Sequence, residues 1–439
     1  MTDHHHVSAV RTEVSERLTT EARHRAAAGL APLGPDEEQE LARHFTDEAL
    51  AAEAAWRLSA GRAPAPVAER TEVAEAVLAA MYQMGRLQRF LDAPDLDNVI
   101  IHGAASATLE WADGRIEHVA SPFDSDEDLI AEVQALASRR GRTERRFDWA
   151  NPRLDMRLPD GSRLTAVMSV VHRPTIVIRR HRFVDLNLDD LVRLGTIDLA
   201  LHAFLAAAVT SRRNLVVAGT TNVGKTSMVR ALIGLADPDE HLVTIETSLE
   251  LGLHHLARHR NVTALEAREA NAEGHGAIPV RALTEYAARL NPDRILVGEV
   301  LGDEALTMLR ALGAGADGSL TTVHARHSDA VARRLASYVA QSPTPLPVAA
   351  TLDLIADAVD VIVFLAFVRD GDGRRRRVVS SVREVTGTSD GRLDTNEVFA
   401  PGFDGRAVPT GVRPRCADEL AWAGLDLGLL DNALGWWAS

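Results

Sequence analysis

The rhythm of hydrophobic and polar positions changes twice along the chain. Over residues 1–90 the sequence is rich in Ala, Glu and Arg. Stretches such as DEEQELARHFTDEALAAEAAWRL carry apolar residues at helical spacing, broken by a Pro/Ala stretch near 59–67. This predicts helices on a partly flexible N-terminal lead. Over 91–182 short runs (NVIIHG, ATLEWADGRIEHV, RLDMRLPDGSRLTAVMSVV) alternate apolar and polar residues, and Asp113-Gly114 and Asp160-Gly161 sit where hairpin turns would fall. One helix is predicted there, SDEDLIAEVQALASRRG, with Ser125 as N-cap ahead of an acidic first turn. The stretch reads as a smaller α+β domain. From 183 to 439 strands alternate with helices: NLVVAG, HLVTIE, RILVGE, SLTTVH and VDVIVFLAFV. That order predicts an α/β domain on a mostly parallel sheet, with ligand groups at the carboxyl ends of the strands.

The first of those strands ends in Gly219-x-x-x-x-Gly224-Lys225-Thr226, and SMVRALIGLA continues as a helix. Strand before and helix after are the setting a phosphate-binding loop needs, because the backbone N–H groups between them can then converge on a polyphosphate. Gly219 and Gly224 permit the tight approach, Lys225 reaches the β/γ-phosphates, and the Thr226 hydroxyl is a ligand for Mg²⁺. The expected ATP cradle runs from Gly219 through Thr220, Thr221, Asn222, Val223, Gly224, Lys225 and Thr226 to Ser227.

Composition narrows the context. The chain has 439 residues, 46% hydrophobic and 25% charged, enough for two or three domains with their own cores. A formal net charge of −14 provides no global field toward nucleic acid or anionic lipid, so nucleic acid is not the expected partner, although a local basic channel is compatible with it. Cys416 is the only cysteine, which excludes disulfides and cysteine-based metal sites within one chain and suits a reducing compartment. The N-terminus lacks the apolar core of a signal peptide, and His4 to His6 read as a solvated start. The longest apolar run, Val361 to Val368, is far too short for a bilayer and reads as a buried strand. A membrane connection is therefore expected to go through a partner.

Three further constellations fall at predicted strand ends. Glu246 closes VTIE with Glu250 four residues on, and Glu299 follows the apolar run of NPDRILVGEV. Carboxylates beside a phosphate loop can position the attacking water or hold the Mg²⁺ shell; alone, each would more often be a solvated strand end. The third is GAGADGSLTTVHA, where His324 and the hydroxyls of Thr321 and Thr322 suggest a phosphate sensor, against a packed structural histidine. Upstream, Arg157, Arg163, Arg179 and Arg180 could clamp phosphates. The basic runs Arg139–Arg140, Arg145–Arg146 and Arg374–Arg377 read as solvated faces, the last on a hairpin after Asp370.

In order, LDAPDLDNVIIHG, DMRLPDGSRLTAV, TIVIRR, the phosphate loop, NPDRILVGEV, GADGSLTTVHA and AVDVIVFLAFV make the stretch from about 85 to about 400 resemble the secretion-ATPase superfamily of type II and type IV secretion and type IV pili. It is most similar to the CpaF-like branch that powers Tad/Flp pilus assembly. The resemblance implies a RecA-like ATPase domain, a homo-hexameric ring, and Mg-ATP bound at an interdomain cleft. It also implies a cytoplasmic place at the inner face of the cell membrane, working on inner-membrane platform proteins. Gly224, Lys225 and Thr226 match its Walker A positions, Glu299 its Walker B glutamate, Glu246 and Glu250 its aspartate box, and His324 its histidine box. Glu246, Glu299 and His324 are thus the expected catalytic residues. Arg163 and Arg179 match arginines that reach the nucleotide, and Glu250 is a further candidate near the metal. Three positions depart from the pattern: Thr247 replaces an Asp, Leu301 an Arg and Arg326 an Asn. Two alternatives follow, a motor for DNA or conjugation cargo and a nucleotide-gated scaffold with little turnover.

Overall fold

The computed structural model describes residues 4–437 apart from 32, 83, 94, 112–113, 141–145, 159, 181–184, 269, 271–273, 370, 372 and 374. The chain divides into two compact units, Met1–His181 and Arg182–Ser439.

In the first unit, helices α1 (His4–Ala27), α2 (Pro35–Ser59) and α3 (Val67–Tyr82) close around Val14, Ala42, Val73 and Val77. His6 Nε2 lies 2.5 Å from Glu53 Oε2 on the neighbouring helix. The expectation of a solvated start is corrected there; the side chains of His4 and His5 lie outside the described residues. After a short α4 (Gln88–Leu91), six strands form an antiparallel sheet: β1 (Leu96–His102), β2 (Ser106–Trp111), β3 (Ile116–Val119), β4 (Arg153–Arg157), β5 (Arg163–Val167) and β6 (Thr175–Arg179). Their order is β3-β2-β1-β6-β5-β4. Both expected hairpins form, although Asp113 itself lies outside the described residues. Helix α5 (Asp126–Arg140) begins where Ser125 Oγ accepts the Asp128 N–H at 3.1 Å. It packs Leu129, Val133 and Leu136 onto Val99, Ile101, Leu164 and Ile178, the apolar face that period-two alternation creates. The side chains of Arg139 and Arg140, and residue 145, lie outside the described residues.

The second unit opens with α6 (Leu188–Arg193) and α7 (Leu199–Thr210) and carries one nine-stranded sheet. Its elements in chain order are β7 (Leu215–Gly219), α8 (Lys225–Ile233), β8 (Leu242–Glu246), β9 (Val262–Glu266), α9 (Val280–Ala287), β10 (Arg294–Val300), α10 (Glu304–Leu312), β11 (Leu320–His324), α11 (Val331–Val339), α12 (Val348–Ala358), β12 (Val361–Arg369), β13 (Arg375–Ser389), β14 (Arg392–Pro401), β15 (Ala407–Pro409) and α13 (Ala417–Trp422). The strand order is β15-β14-β13-β12-β7-β11-β10-β8-β9. The six strands from β12 to β9 are parallel, and β13, β14 and β15 extend the β12 edge antiparallel. This is the expected α/β class. Along β7 every residue is buried: Leu215 and Val217 meet Phe204 and Val229 on one face, Val216 and Ala218 meet Met308 and Leu335 on the other. Helices on both faces are what a parallel sheet requires. Among the described residues no helix is long and apolar enough to cross a membrane.

The amino ends of the central strands are tied by buried polar groups. Asn214 accepts from the Ser319 N–H at 2.9 Å and donates to Ala358 O at 3.0 Å, while Asp360 accepts the Asn214 N–H at 2.7 Å. Ser319 Oγ donates to Ala316 O at 2.6 Å and accepts from the Ile295 N–H at 2.9 Å. Arg294 pairs with Glu240 through Nε and, at 3.1 Å, through Nη2, and its Nη1 donates to Val209 O and Gly318 O at 3.1 and 3.2 Å. With the starts of β7, β10, β11 and β12 pinned in this way, their opposite ends arrive level with one another.

Candidate functional site

Register places the site. Gly219, at the end of β7, pairs with His324 on one side and Leu365 on the other. A Cβ on Gly219 would stand 2.6 Å from Leu365 O and 2.8 Å from Val223 Cγ1, so only glycine fits. Asn222 (φ 62°) and Gly224 (φ 99°) then turn the chain through left-handed conformations, and Lys225 opens α8. Thr226 and Ser227 occupy the first turn of that helix, where N–H groups lack intrahelical partners. Sequence and geometry together make the turn a cradle for an anion.

Lys225 is buried, and its Nζ donates to Thr220 O at 3.2 Å and lies 3.1 Å from His324 Nδ1. The other ring nitrogen, Nε2, lies 2.5 Å from Glu299 Oε1. An ammonium can only donate, so Nδ1 is the acceptor and the ring proton sits on Nε2, facing the carboxylate. Burial holds the His324 pKa below its ordinary value, with the Lys225 charge acting the same way and Glu299 opposing. The ring is therefore neutral at pH 7 and links Lys225 to Glu299.

Glu299 was expected just beyond the strand, whereas β10 runs on to Val300. Its pairing with β11 is irregular between Val297 and Val300, which re-aims the Glu299 side chain. Gly298 has its own cause: a Cβ there would come within 2.9 Å of Glu246 Cγ. Glu246 is buried at the end of β8, and its Oε2 accepts the N–H groups of Glu250 and Leu251 at 2.7 and 2.8 Å. Burial pushes this carboxyl up to about 7 despite those two bonds. Glu250 is half-buried on the turn that Glu246 organises.

One expectation is corrected. Thr321 and Thr322 do not offer their hydroxyls to a ligand: they donate to Val297 O and Gly298 O at 3.0 and 2.7 Å, tying β11 to β10. Arg377 is exposed on the β12–β13 hairpin, as expected, but it also reaches the phosphate loop, where its Nε donates to Asn222 O at 3.2 Å. Glu304 was not anticipated either; its Oε1 accepts the N–H groups of Leu301 and Gly302, which shapes the turn after Glu299. Arg374 lies outside the described residues.

In the first unit, Arg157 pairs in register with Arg163, and Arg163 with Arg179, so three guanidinium groups stand in one row across β4, β5 and β6. Among the described residues no acid pairs with any of them. Like charges side by side destabilise a sheet, and an anion would relieve them. Arg180 is different, because its Nη1 donates to Ala93 O within the same unit.

For Mg²⁺, the donors present are hard oxygens: the half-buried Thr226 hydroxyl, which has no partner among the described residues, and the carboxylates of Glu246 and Glu299. These fit the ion. No group of three or more acidic, His or Cys side chains among the described residues could hold a metal alone.

Residues 83–407 match the family model described as type II/IV secretion system protein. A protein of Mycobacterium tuberculosis (strain H37Rv) named for conjugal transfer, Rv3659c, is 35% identical over 301 residues, covering 66% of this chain and 82% of that one. VirB11 of Agrobacterium fabrum is 37% identical over 165 residues, 37% of this chain and 46% of its own length. Among solved structures, the VirB11 ATPase of Brucella suis in complex with sulphate matches at 27% identity and a TM-score of 0.37, covering 71% of this chain and 95% of that one.

Proposed function

The chain belongs to the type II/IV secretion system protein family, and from that membership we propose an ATP-hydrolysing motor of a secretion or pilus-like machine. The observation that carries this reading is the line Lys225–His324–Glu299, assembled against the phosphate loop at the carboxyl ends of β7, β11 and β10.

The loop N–H groups and Lys225 receive the β- and γ-phosphates of ATP. Leaving for the phosphates, Lys225 frees His324 Nδ1, while the Nε2 proton still orients Glu299. The Thr226 hydroxyl would hold Mg²⁺, which would supply neutralisation of the phosphate charge. Glu299 accepts a proton from the attacking water as its oxygen bonds to the γ-phosphorus. The bond from that phosphorus to the bridging oxygen breaks, giving ADP and phosphate. Glu246, with its carboxyl pushed up to about 7, holds the turn that carries Glu250 and is a weaker candidate for the same base. Arg163 and Arg179 are proposed as cations that reach the phosphates.

Ring assembly into a homo-hexamer, a cytoplasmic place beneath the inner membrane and inner-membrane platform partners belong to the same proposal. For the cargo, the ordered motifs favour Tad/Flp pilus assembly, whereas the relatives named for conjugal transfer favour a conjugation-type machine. The second has the stronger support, because relatives with that name are 35% identical over 301 residues and 33% identical over 213 residues. Purified protein should hydrolyse ATP; Lys225→Ala should abolish phosphate release, and Glu299→Gln should bind ATP without turnover. Undiminished hydrolysis in both variants would sink the assignment. DNA-stimulated turnover would support the conjugation reading, and stimulation only by a platform protein the pilus reading.

A further inference from the structure

Strands β12 and β13 do not stop where β7 stops. Leu365 pairs with Gly219, and beyond it Ala366 to Arg369 stay in register with Val378 to Arg375. A two-stranded ribbon therefore continues past the end of β7, beside the phosphate loop. Phe367 and Arg377 are direct partners on it. The guanidinium of Arg375 lies 3.4 Å from the centre of the Phe367 ring and that of Arg377 6.0 Å, so the ring stiffens both side chains.

Arg377 leans onto the loop from this ribbon. Its Nε donates to Asn222 O at 3.2 Å, and its Cδ lies 3.6 Å from the position a Cβ would take on Gly224. Its side chain is exposed, and among the described residues no carboxylate pairs with it. Among the described residues only Nε is engaged, which leaves both Nη groups, four N–H donors, available there. A brace for the loop would need one donor and no charge. Here a full cation stands at the loop that leads into the positive end of α8, where an anion would be drawn to both.

We propose that Arg377 is a nucleotide-binding residue, laying its Nη groups on the polyphosphate of a nucleoside di- or triphosphate held by the loop. This rests on the ATP reading above. The test is fluorescent-nucleotide titration, with ADP and ATP analogues, of the full chain and four variants. Arg377→Ala is expected to weaken both ligands roughly tenfold or more, with a smaller loss at high salt. Arg377→Gln keeps a donor for Asn222 O without the charge, and should lose affinity similarly. Arg376→Ala, one residue along the strand and on its other face, should bind as the unaltered chain does. Wild-type affinity in Arg377→Gln would overturn the proposal, leaving a brace. Wild-type binding in Lys225→Ala would overturn the ATP reading itself, whereas its loss there with retention in both Arg377 variants would sink only the present inference.

Discussion

The two ends of the parallel sheet use polar residues in opposite ways. At the amino ends, Asn214, Ser319, Asp360 and Arg294 spend their donors and acceptors on backbone and on one another. At the carboxyl ends, among the described residues, the buried Glu246 carboxyl is pushed up to about 7, His324 is held neutral between a cation and an anion, and Arg377 engages its Nε alone. Satisfied polar groups in a low-dielectric interior fix geometry, while incompletely satisfied ones store an unmet demand that a ligand can meet. One end holds the strands level and the other presents chemistry.

That contrast breaks first under paired substitutions. Lys225→Ala is expected to lower kcat by more than about 100-fold while shifting the melting temperature of the nucleotide-free protein by only a few degrees, since the cation serves a ligand. Arg294→Met should do the reverse. It leaves Glu240 with Arg212 alone, removes the Arg294 donor from Gly318 O and leaves Val209 O with the Arg212 N–H, at a cost of about 3 kcal/mol, or roughly 10 °C. Activity per folded molecule should stay within about twofold. Thermal unfolding beside steady-state kinetics separates the two, and a catalytic collapse in Arg294→Met at full stability would erase the distinction.

Much of this was readable from local sequence, and the failures share a cause. Strands β7, β8, β10, β11 and β12 stand out because each is a run of apolar residues buried on both faces. Strand β9 is only half-buried at the sheet edge, and β13 and β14 are studded with Arg, Ser and Thr, so none shows such a run. Glu299 and His324 could be proposed because parallel α/β sheets gather ligand groups at strand ends. Arg377 could not, because its place depends on β12 lying beside β7, a neighbour relation that no local pattern contains. The Thr321 and Thr322 hydroxyls were misread for the same reason: their acceptors belong to β10, more than twenty positions away.

A gentler test addresses Glu246. Its carboxyl ordinarily titrates near 4.5 and is pushed up to about 7 by burial. Between those values the folded chain holds a proton that the unfolded chain has released. Its contribution to stability is therefore present at pH 4.5 and lost as the pH rises through 7, a swing on the order of 3 kcal/mol. Glu246→Gln has no proton to lose. Denaturant unfolding at pH 5 and pH 8 should show the variant gaining on the unaltered chain at the higher pH. Equal differences at both pH values would mean the carboxyl is not held protonated and belongs with the satisfied groups of the other end.

The smallest effect is expected at the departures from the family pattern. Leu301 is half exposed, and its contribution to the turn is its backbone N–H, which Glu304 Oε1 accepts whatever side chain is present. Leu301→Arg should therefore fold normally, within about 0.5 kcal/mol. Glu299 takes its orientation from His324 Nε2, so it does not depend on a cation at position 301. Turnover in Leu301→Arg, alone or with Thr247→Asp, should rise by no more than roughly threefold at unchanged KM, because a missing transition-state contact would act on kcat. A rise above about tenfold would show the carboxyl-end site to be incomplete as it stands. The scaffold reading would then gain over the motor, for the unmet demand at that end would lie in the protein itself and not await a nucleotide.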